Sequence, residues 1–110
     1  MAESLQFLYQ FAPGDRPELL ADPEAWTAED ERIAGDHYEY LRRATVDGVV
    51  LLAGRSLDRQ GPAVVVFEAE SAEAARRFMC DDPFLKYGLF TAELHPFSAS
   101  LVRGQVPPGS

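Results

Sequence analysis

Apolar and polar residues alternate at the start of the chain, from Ser4 to Phe11. The residues on one side of this stretch are all apolar: Leu5, Phe7, Tyr9 and Phe11. A period of two is typical of a β-strand. Three later apolar stretches predict further strands, over residues 49–53, 63–70 and 89–102. Pro96 should lie at an edge or a bulge of the last one, because it cannot donate a ladder hydrogen bond.

A period of three to four residues predicts helices between these strands. The strongest runs from Thr27 to Asp47, with Thr27 as its cap, acidic residues in its first turns and Gly48 after its end. One face of this helix carries the residues Ile33, His37, Tyr40, Leu41 and Ala44. Ser71 is the predicted cap of a second helix that reaches about Met79.

A third, short helix is predicted from the stretch Asp82 to Gly88. Asp82 can cap it, Pro83 suits its first position and Gly88 suits the left-handed residue that ends it. By contrast, residues 12–26 contain three prolines and form a long polar connection with one short helical turn after Asp15. Two readings of this connection are open, a lid or pocket wall and a surface loop held by Trp26.

The order strand, helix, strand, strand, helix, strand predicts an α+β fold of the ferredoxin-like βαββαβ type. Its helices should cover one face of a four-stranded antiparallel sheet. Strands 49–53 and 63–70 carry apolar residues on both sides, although a sheet with one solvated face should alternate. We therefore expect the second face to be covered by a second copy of the chain, which predicts a homodimer.

Composition narrows the class of protein. The chain has 110 residues and a formal net charge of -8, which argues against nucleic acid and anionic membranes as partners. Cys80 is its one cysteine, so an internal disulfide is excluded, and we expect a cytoplasmic protein. Residues 1–102 should form one domain, and the Pro/Gly-rich residues 103–110 a flexible C-terminal tail.

His37 is the first candidate for chemistry. On the inner face of a helix, an imidazole can be a core-edge group satisfied by backbone or water. It can also be a general acid or base, because histidine ordinarily titrates near neutrality. Asp82 likewise has two compatible readings, as a helix cap and as the carboxylate that orients His37.

Residues near the end of the second strand are candidate substrate contacts. We place Gly54, Arg55 and Ser56 at its exit, where the glycine allows either a ligand close to the backbone or a simple bulge. Arg55 can pair with a carboxylate or lie in solvent, and Ser56 can donate a hydrogen bond. Tyr40 is a further candidate for the pocket wall. No group of His, Cys and carboxylates has the spacing of metal ligands, so we expect neither a metal nor another cofactor.

Several segments resemble the YciI-like (YCII-related) family, and the resemblance covers about residues 5 to 97. They are His37-Tyr38-Glu39-Tyr40-Leu41, Leu52-Ala53-Gly54, the run from Val64 to Ala75, Asp82-Pro83-Phe84, Gly88-Leu89-Phe90 and Pro96-Phe97. The resemblance implies a dimeric α/β barrel and a pocket with a His–Asp pair, carried here by His37 and Asp82. The family is similar to muconolactone isomerases and includes dehalogenases of chlorinated lactones or hydroxyquinols, and most members have no assigned reaction.

Two positions depart from the family pattern. Ala34 stands where the family commonly has an arginine three residues before the histidine, and Arg55 stands where a proline often follows the glycine. Substrate charge and shape therefore do not follow from the resemblance.

We predict a cofactor-independent enzyme that uses His37 and Asp82 for proton transfer on a small cyclic or carboxylated substrate, of isomerase, lyase or dehalogenase type. The alternative is a non-catalytic dimeric module that binds a small molecule. A third reading, a purely structural pair, predicts that Asp82→Ala costs about 1 kcal/mol as a lost cap.

Overall fold

The computed structural model describes residues 5–105. Its regular elements follow the predicted order: β1 (Leu5–Pro13), α1 (Ala28–Val46), β2 (Val50–Arg55), β3 (Ala63–Ala69), α2 (Ala72–Cys80), α3 (Pro83–Lys86) and β4 (Phe90–Pro96). Two short 3-10 turns, Pro17–Leu20 and Pro23–Ala25, lie between β1 and α1. The predicted flexible tail falls in part on residues 106–110, which lie outside the described residues.

The four strands form one antiparallel sheet in the order β2-β3-β1-β4. This order confirms the ferredoxin-like βαββαβ fold. Helices α1 and α2 pack on one face of the sheet, because their apolar residues share the main core with the inward residues of β1, β2 and β3. The buried members of that core are Phe7, Tyr9, Leu41, Val50, Val65, Phe67, Ala75 and Met79.

The opposite face of the sheet carries an apolar row across three strands. Leu52 pairs with Val66, Val66 pairs with Leu8, and Leu8 pairs with His95 at the edge. Leu52 is 57% exposed, whereas Val66 is buried. Neither long helix covers this row, so the predicted two-sided apolar character of the sheet is present in the fold.

Three strand boundaries differ from the sequence-based expectation. Gly54 and Arg55 lie inside β2, paired with Val64 and Ala63, so the prediction that they follow the strand was wrong. The ladder continues because a backbone without a side chain still donates and accepts hydrogen bonds. Strand β1 extends to Pro13, and β4 ends at Pro96 instead of near residue 102, although the amide of Phe97 still donates to the backbone oxygen of Gln6 at 3.0 Å.

The connection between β1 and α1 is a packed wall with its own small core. The indole N–H of Trp26 donates to the backbone oxygen of Leu19 at 3.0 Å, and Leu19 is buried with Ile33 and Phe90. Gly14 begins the connection, and a Cβ there would lie only 2.6 Å from the carbonyl oxygen of Leu89. Trp26 and Gly14 therefore hold the connection against the domain, and its two readings, a lid or pocket wall and a surface loop, both stay predictions.

An ion pair fixes this connection to the start of α1. The Nη2 atom of Arg16 donates to Oδ1 of the buried Asp30 at 2.5 Å. Asp30 also completes a capping box, since its Oδ2 accepts from the amide of Thr27 at 2.9 Å while its own amide donates to Thr27 Oγ1. The hydrogen bond from Arg16, followed by those from Thr27, lowers the pKa of Asp30 to about 2.

None of the helices within residues 5–105 combines the length and apolar character that a membrane crossing needs. The cytoplasmic location stays a prediction.

Replacement of Arg16 by methionine should destabilise the fold in a pH-dependent way. A carboxyl whose pKa is lowered on folding stabilises the protein above its ordinary pKa and stops doing so as the pH falls through the lowered value. The stability difference between wild type and Arg16→Met should therefore be full at pH 6 and shrink between about pH 4 and pH 2. Urea unfolding at a series of pH values measures it. A difference that stays constant down to pH 2 would show that the ion pair does not stabilise the connection.

Candidate active site

His37 lies midway along α1, on the face that packs over the sheet. Its Nδ1 atom is 2.7 Å from Oδ1 of Asp82, and its side chain is 17% exposed. The other ring nitrogen, Nε2, makes no hydrogen bond within residues 5–105, where every fully buried side-chain nitrogen or oxygen has a partner. Nε2 is therefore the ring atom that reaches the surface and can meet a ligand.

Asp82 occupies the junction between α2 and α3 and has no exposed surface. Its Oδ1 accepts a hydrogen bond from the amide of Phe84 at 3.0 Å, which caps α3 as predicted. The same Oδ1 faces His37 Nδ1, so capping and orientation are performed by one atom. Because a carboxylate oxygen only accepts hydrogen bonds, its contact with the imidazole requires the proton on Nδ1.

Tyr9 completes the environment of this carboxylate from the centre of the sheet. Its hydroxyl donates to Oδ2 of Asp82 at 2.8 Å, and the side chain is fully buried. Burial, and after it the charge and the hydrogen bond of Asp82, raise the pKa of Tyr9 far above its usual range. Tyr9 thus keeps its proton, and both carboxylate oxygens of Asp82 are hydrogen-bonded.

Aromatic rings enclose the imidazole on two sides. The ring of Phe84 stacks on His37 with the centroids 3.9 Å apart and an interplanar angle of 19°. Phe11 meets the imidazole edge-on at 5.5 Å. Beyond Phe84, the rings of Trp26 and Phe90 continue the aromatic surface at 6.0 Å and 4.9 Å. The wall formed by the connection therefore lies next to the His–Asp pair.

The predicted substrate contacts near the end of β2 take no part in this hydrogen-bond network. No hydrogen bond or ion pair joins Gly54, Arg55 or Ser56 to His37 or Asp82 in the described part of the chain. The amide of Ser56 donates to the backbone oxygen of Pro62, and its side chain fills the space where Gly61 has no Cβ. These contacts give Ser56 a role in the β2–β3 turn, and substrate binding by the three residues stays a prediction.

Tyr40 contacts the core rather than the imidazole. Its hydroxyl donates to the backbone oxygen of Phe78 at 2.7 Å, and the two rings stack at 5.1 Å. Burial, followed by the charges of Asp81 and Asp82, raises the pKa of Tyr40 above its usual range. As with the β2 residues, a role for Tyr40 in substrate binding stays a prediction.

A shallow, open depression of about 410 Å³ lies beside the C-terminal half of α1. The residues that line it are Glu39, Tyr40, Arg43, Ala44, Asp47, Val49 and Phe78. Neither His37 nor Asp82 is among them. We place the candidate site at the His–Asp pair, because polar groups from several elements converge there, whereas Glu39 of the depression pairs with Arg42 of its own helix.

Among residues 5–105, no three His, Cys, Asp or Glu side chains lie together in a way that could hold a metal ion. The second histidine, His95, lies on the opposite face of the sheet beside Leu8. His37 is thus the histidine of the candidate site.

The sequence analysis found His37 and Asp82 and missed Tyr9 and Phe84 as members of the site. Tyr9 follows the strand alternation like any core residue, and nothing local reveals that its hydroxyl meets a group 73 positions away. A polar hydroxyl on the fully apolar side of a strand was the available signal, because a buried tyrosine needs a partner.

Comparison with known families gives a match to the YCII-related domain over residues 11–98. A search of curated protein sequences finds no match. Among solved structures, the chain is similar to 5-chloro-2-hydroxyhydroquinone dehydrochlorinase (TftG) from Burkholderia phenoliruptrix, in complex with 2,5-dihydroxybenzoquinone. The TM-score is 0.58 and the identity 23%, over 86% of this chain and 94% of the other. This similarity supports the fold.

Replacement of Asp82 by alanine should destabilise the protein by about 3 kcal/mol or more, because it leaves the buried hydroxyl of Tyr9, the imidazole and the amide of Phe84 without their acceptor. Ser71→Ala is the matched control, since Ser71 caps α2 with a single exposed hydrogen bond, and it should cost about 1 kcal/mol. Chemical denaturation measures both. Equal losses would reduce Asp82 to a helix cap.

Proposed function

The chain belongs to the YCII-related family, and we propose that it is a cofactor-independent enzyme in which His37 moves a proton to or from a small cyclic substrate. The observation that carries the proposal is the 2.7 Å contact between His37 Nδ1 and a carboxylate with no exposed surface, which leaves Nε2 toward the surface. A histidine held in this way is a general base whose protonated form is stabilised by the adjacent charge.

The proposed reaction starts with proton abstraction by Nε2 from an acidic O–H or C–H of the substrate. The electron pair of an O–H bond forms a C=O bond, and the adjacent ring double bond then takes up a proton at carbon, whereas the electron pair of a C–H bond forms a C=C bond directly. In an isomerisation the imidazolium returns the proton to another carbon. In the dehydrochlorination of a chlorinated hydroquinone the proton is added to the carbon that bears chlorine, and removal of a second O–H proton then expels chloride with the electron pair of the C–Cl bond, so that HCl is lost overall. Asp82 stabilises the imidazolium in either case, and no oxidant or reductant is needed.

The surroundings of His37 favour a planar, uncharged ring as the substrate. The aromatic side chains of Phe84, Phe11 and Trp26 offer apolar faces and edges near the imidazole. Two arginines at this end of α1 already bind carboxylates: Arg16 pairs with Asp30, and Arg32 pairs with Glu29 and Asp36. Both guanidinium groups are therefore already engaged by carboxylates of the protein.

A second candidate, the non-catalytic binding module, is supported by the capping bond from Phe84 to Asp82. Because the carboxylate has a structural task, the His–Asp pair can persist without catalysis and simply bind a small molecule. In this second candidate the protein binds a small molecule at the same site and catalyses no reaction.

Replacement of His37 by glutamine tests the proposal against this alternative. The substrate of the solved dehydrochlorinase, 5-chloro-2-hydroxyhydroquinone, is the first compound to assay, with chloride release as the readout. The wild-type protein should release chloride, and His37→Gln should slow release by about 100- to 10,000-fold, the usual contribution of a general base. His95→Gln, on the other face of the sheet, is the control and should retain the wild-type rate.

Equal rates in wild type and His37→Gln would remove His37 from the mechanism. If the wild-type protein releases no chloride, binding of 2,5-dihydroxybenzoquinone is measured next by calorimetry. Binding that depends on His37, without turnover of this or related chlorinated and unchlorinated hydroquinones, would favour the binding module.

We further propose that the apolar face of the sheet is covered by a second copy of the chain, as the sequence predicted. The support is the row of Leu52, Val66 and Leu8, which lies opposite both long helices. An apolar row on a sheet face that neither long helix covers, with Leu52 57% exposed, is typical of an interface.

Replacement of Leu52 by glutamate should convert the dimer into a monomer of about 12.2 kDa in sedimentation velocity. Burying a charge in an apolar interface is costly, whereas the 57% exposed Leu52 can change in the monomer at little cost. Leu57→Glu, in the β2–β3 turn and 84% exposed, should remain dimeric. A wild-type protein that sediments as a monomer at micromolar concentration would refute the dimer.

A further inference from the structure

Tyr9 has a hydrogen-bonding arrangement that the mechanism above does not use. Its hydroxyl is the donor to Oδ2 of Asp82, at 2.8 Å, while Oδ1 serves His37 and the amide of Phe84. Oδ2 therefore bonds to a strand of the sheet, and Oδ1 bonds to the helices α1 and α3. The bond at Oδ2 keeps Oδ1 facing the imidazole.

The ring of Tyr9 is held rigidly in place. Strand β1 pairs with a neighbour on each side at this position, with Val65 of β3 and Leu94 of β4. The edges of three rings surround it, from Phe67 at 5.6 Å, Phe11 at 5.4 Å and Phe78 at 6.4 Å. Neither the backbone nor the side chain can follow Asp82 if the carboxylate turns, so the hydroxyl is a fixed reference point.

Asp82 itself is less constrained by its own geometry. The terminal torsion of an aspartate is broad, and its two oxygens are chemically equivalent. With Tyr9 present, rotation would break the Oδ2 bond and leave both groups buried without a partner, which is unfavourable. Without the Tyr9 hydroxyl, the carboxylate can keep its bond to the amide of Phe84 and turn its other oxygen away from Nδ1, and the ring then loses the acceptor that selects the Nδ1 tautomer.

We propose that Tyr9 is a positioning residue that fixes the tautomer of His37 through Asp82, so that Nδ1 carries the proton and Nε2 stays free to accept one. The ring nitrogen that carries the proton is set by the hydrogen bond that the ring makes. The inference depends on the proposed function only where it concerns catalysis. The tautomer itself is a property of the protein without substrate.

Tyr9 remains a donor under all conditions in which the site would work. Its raised pKa keeps the hydroxyl protonated, with burial as the largest cause and Asp82 as the next. The titratable groups near the carboxylate are Tyr9 from β1 and His37 and Tyr40 from α1, and Asp81 lies near Tyr40. Tyr9 and His37 are the two that hydrogen-bond to the carboxylate.

The test compares Tyr9→Phe with Tyr40→Phe. Each variant loses one buried hydroxyl, but the one in Tyr40 donates to the backbone oxygen of Phe78 and does not touch Asp82. Nitrogen-15 shifts of the His37 ring, recorded at pH 9 where histidine is ordinarily neutral, report which nitrogen carries the proton. Wild type and Tyr40→Phe should show one tautomer protonated at Nδ1, and Tyr9→Phe should show a mixture.

A Tyr9→Phe protein that keeps the wild-type nitrogen-15 pattern overturns the proposal, since a purely structural hydroxyl would alter stability and leave the tautomer unchanged. If Tyr9→Phe does not fold, the wild-type protein gives the answer. Protonation of His37 on acidification should then move the carbon-13 resonance of the Tyr9 Cζ atom and leave that of Tyr40 in place. A Tyr9 resonance that ignores the protonation of His37 overturns the proposal as well.

The outcome is independent of the chloride-release experiment. A mixed tautomer in Tyr9→Phe with no activity in the wild-type protein would leave the inference standing and the proposed function refuted. Chloride release that depends on His37, together with an unchanged tautomer in Tyr9→Phe, would retain His37 as the base and show that Tyr9 does not position it. Where activity is present, Tyr9→Phe should lower kcat more than it raises KM, because the hydroxyl does not touch the substrate.

Discussion

A carboxylate with no exposed surface must have its charge stabilised by hydrogen bonds, and in this fold the bonds to Asp82 come from three elements at once. Tyr9 reaches it from the centre of the sheet, His37 from the long helix and the amide of Phe84 from the short helix. The same atoms thus join the layers of the domain and arrange the candidate site. The site cannot shift relative to the core, because its central residue is part of the core.

The aromatic rings around His37 form a shell that strengthens the hydrogen bonds to Asp82. Phe84 covers one face of the imidazole and Phe11 meets its edge, so water has little access to the contact between His37 and Asp82. Hydrogen bonds between polar groups are electrostatically stronger in such low-dielectric surroundings. The connection after β1 contributes to this shell through Trp26, and the pair of Arg16 with Asp30 holds it on α1. The stability of the connection and the environment of the site are therefore linked.

Local patterns in the sequence were sufficient to predict the order of the elements and most of their ends. Periods of two and of three to four residues separated strands from helices, and Thr27, Ser71 and Asp82 cap the helices as expected. The end of β2 was predicted too early because a glycine usually weakens a strand, whereas both Gly54 and Arg55 pair with β3 and so belong to β2. Tyr9 was missed because a pattern shows which side of a sheet a residue occupies and not which distant group its hydroxyl meets.

Some features of the candidate site belong to the family pattern, and others are particular to this chain. The segment Asp82-Pro83-Phe84 supplies a cap, a carboxylate for His37 and a ring that stacks on it, so one short turn provides three contacts of the candidate site. Recognition of a substrate's charge depends instead on surrounding side chains. There this chain has Ala34 where the family commonly has arginine, and its neighbour Arg32 is paired with Glu29 and Asp36. If His37 acts as the proposed base, a site that lacks that cation is suited to a substrate bound by its ring faces rather than by a carboxylate.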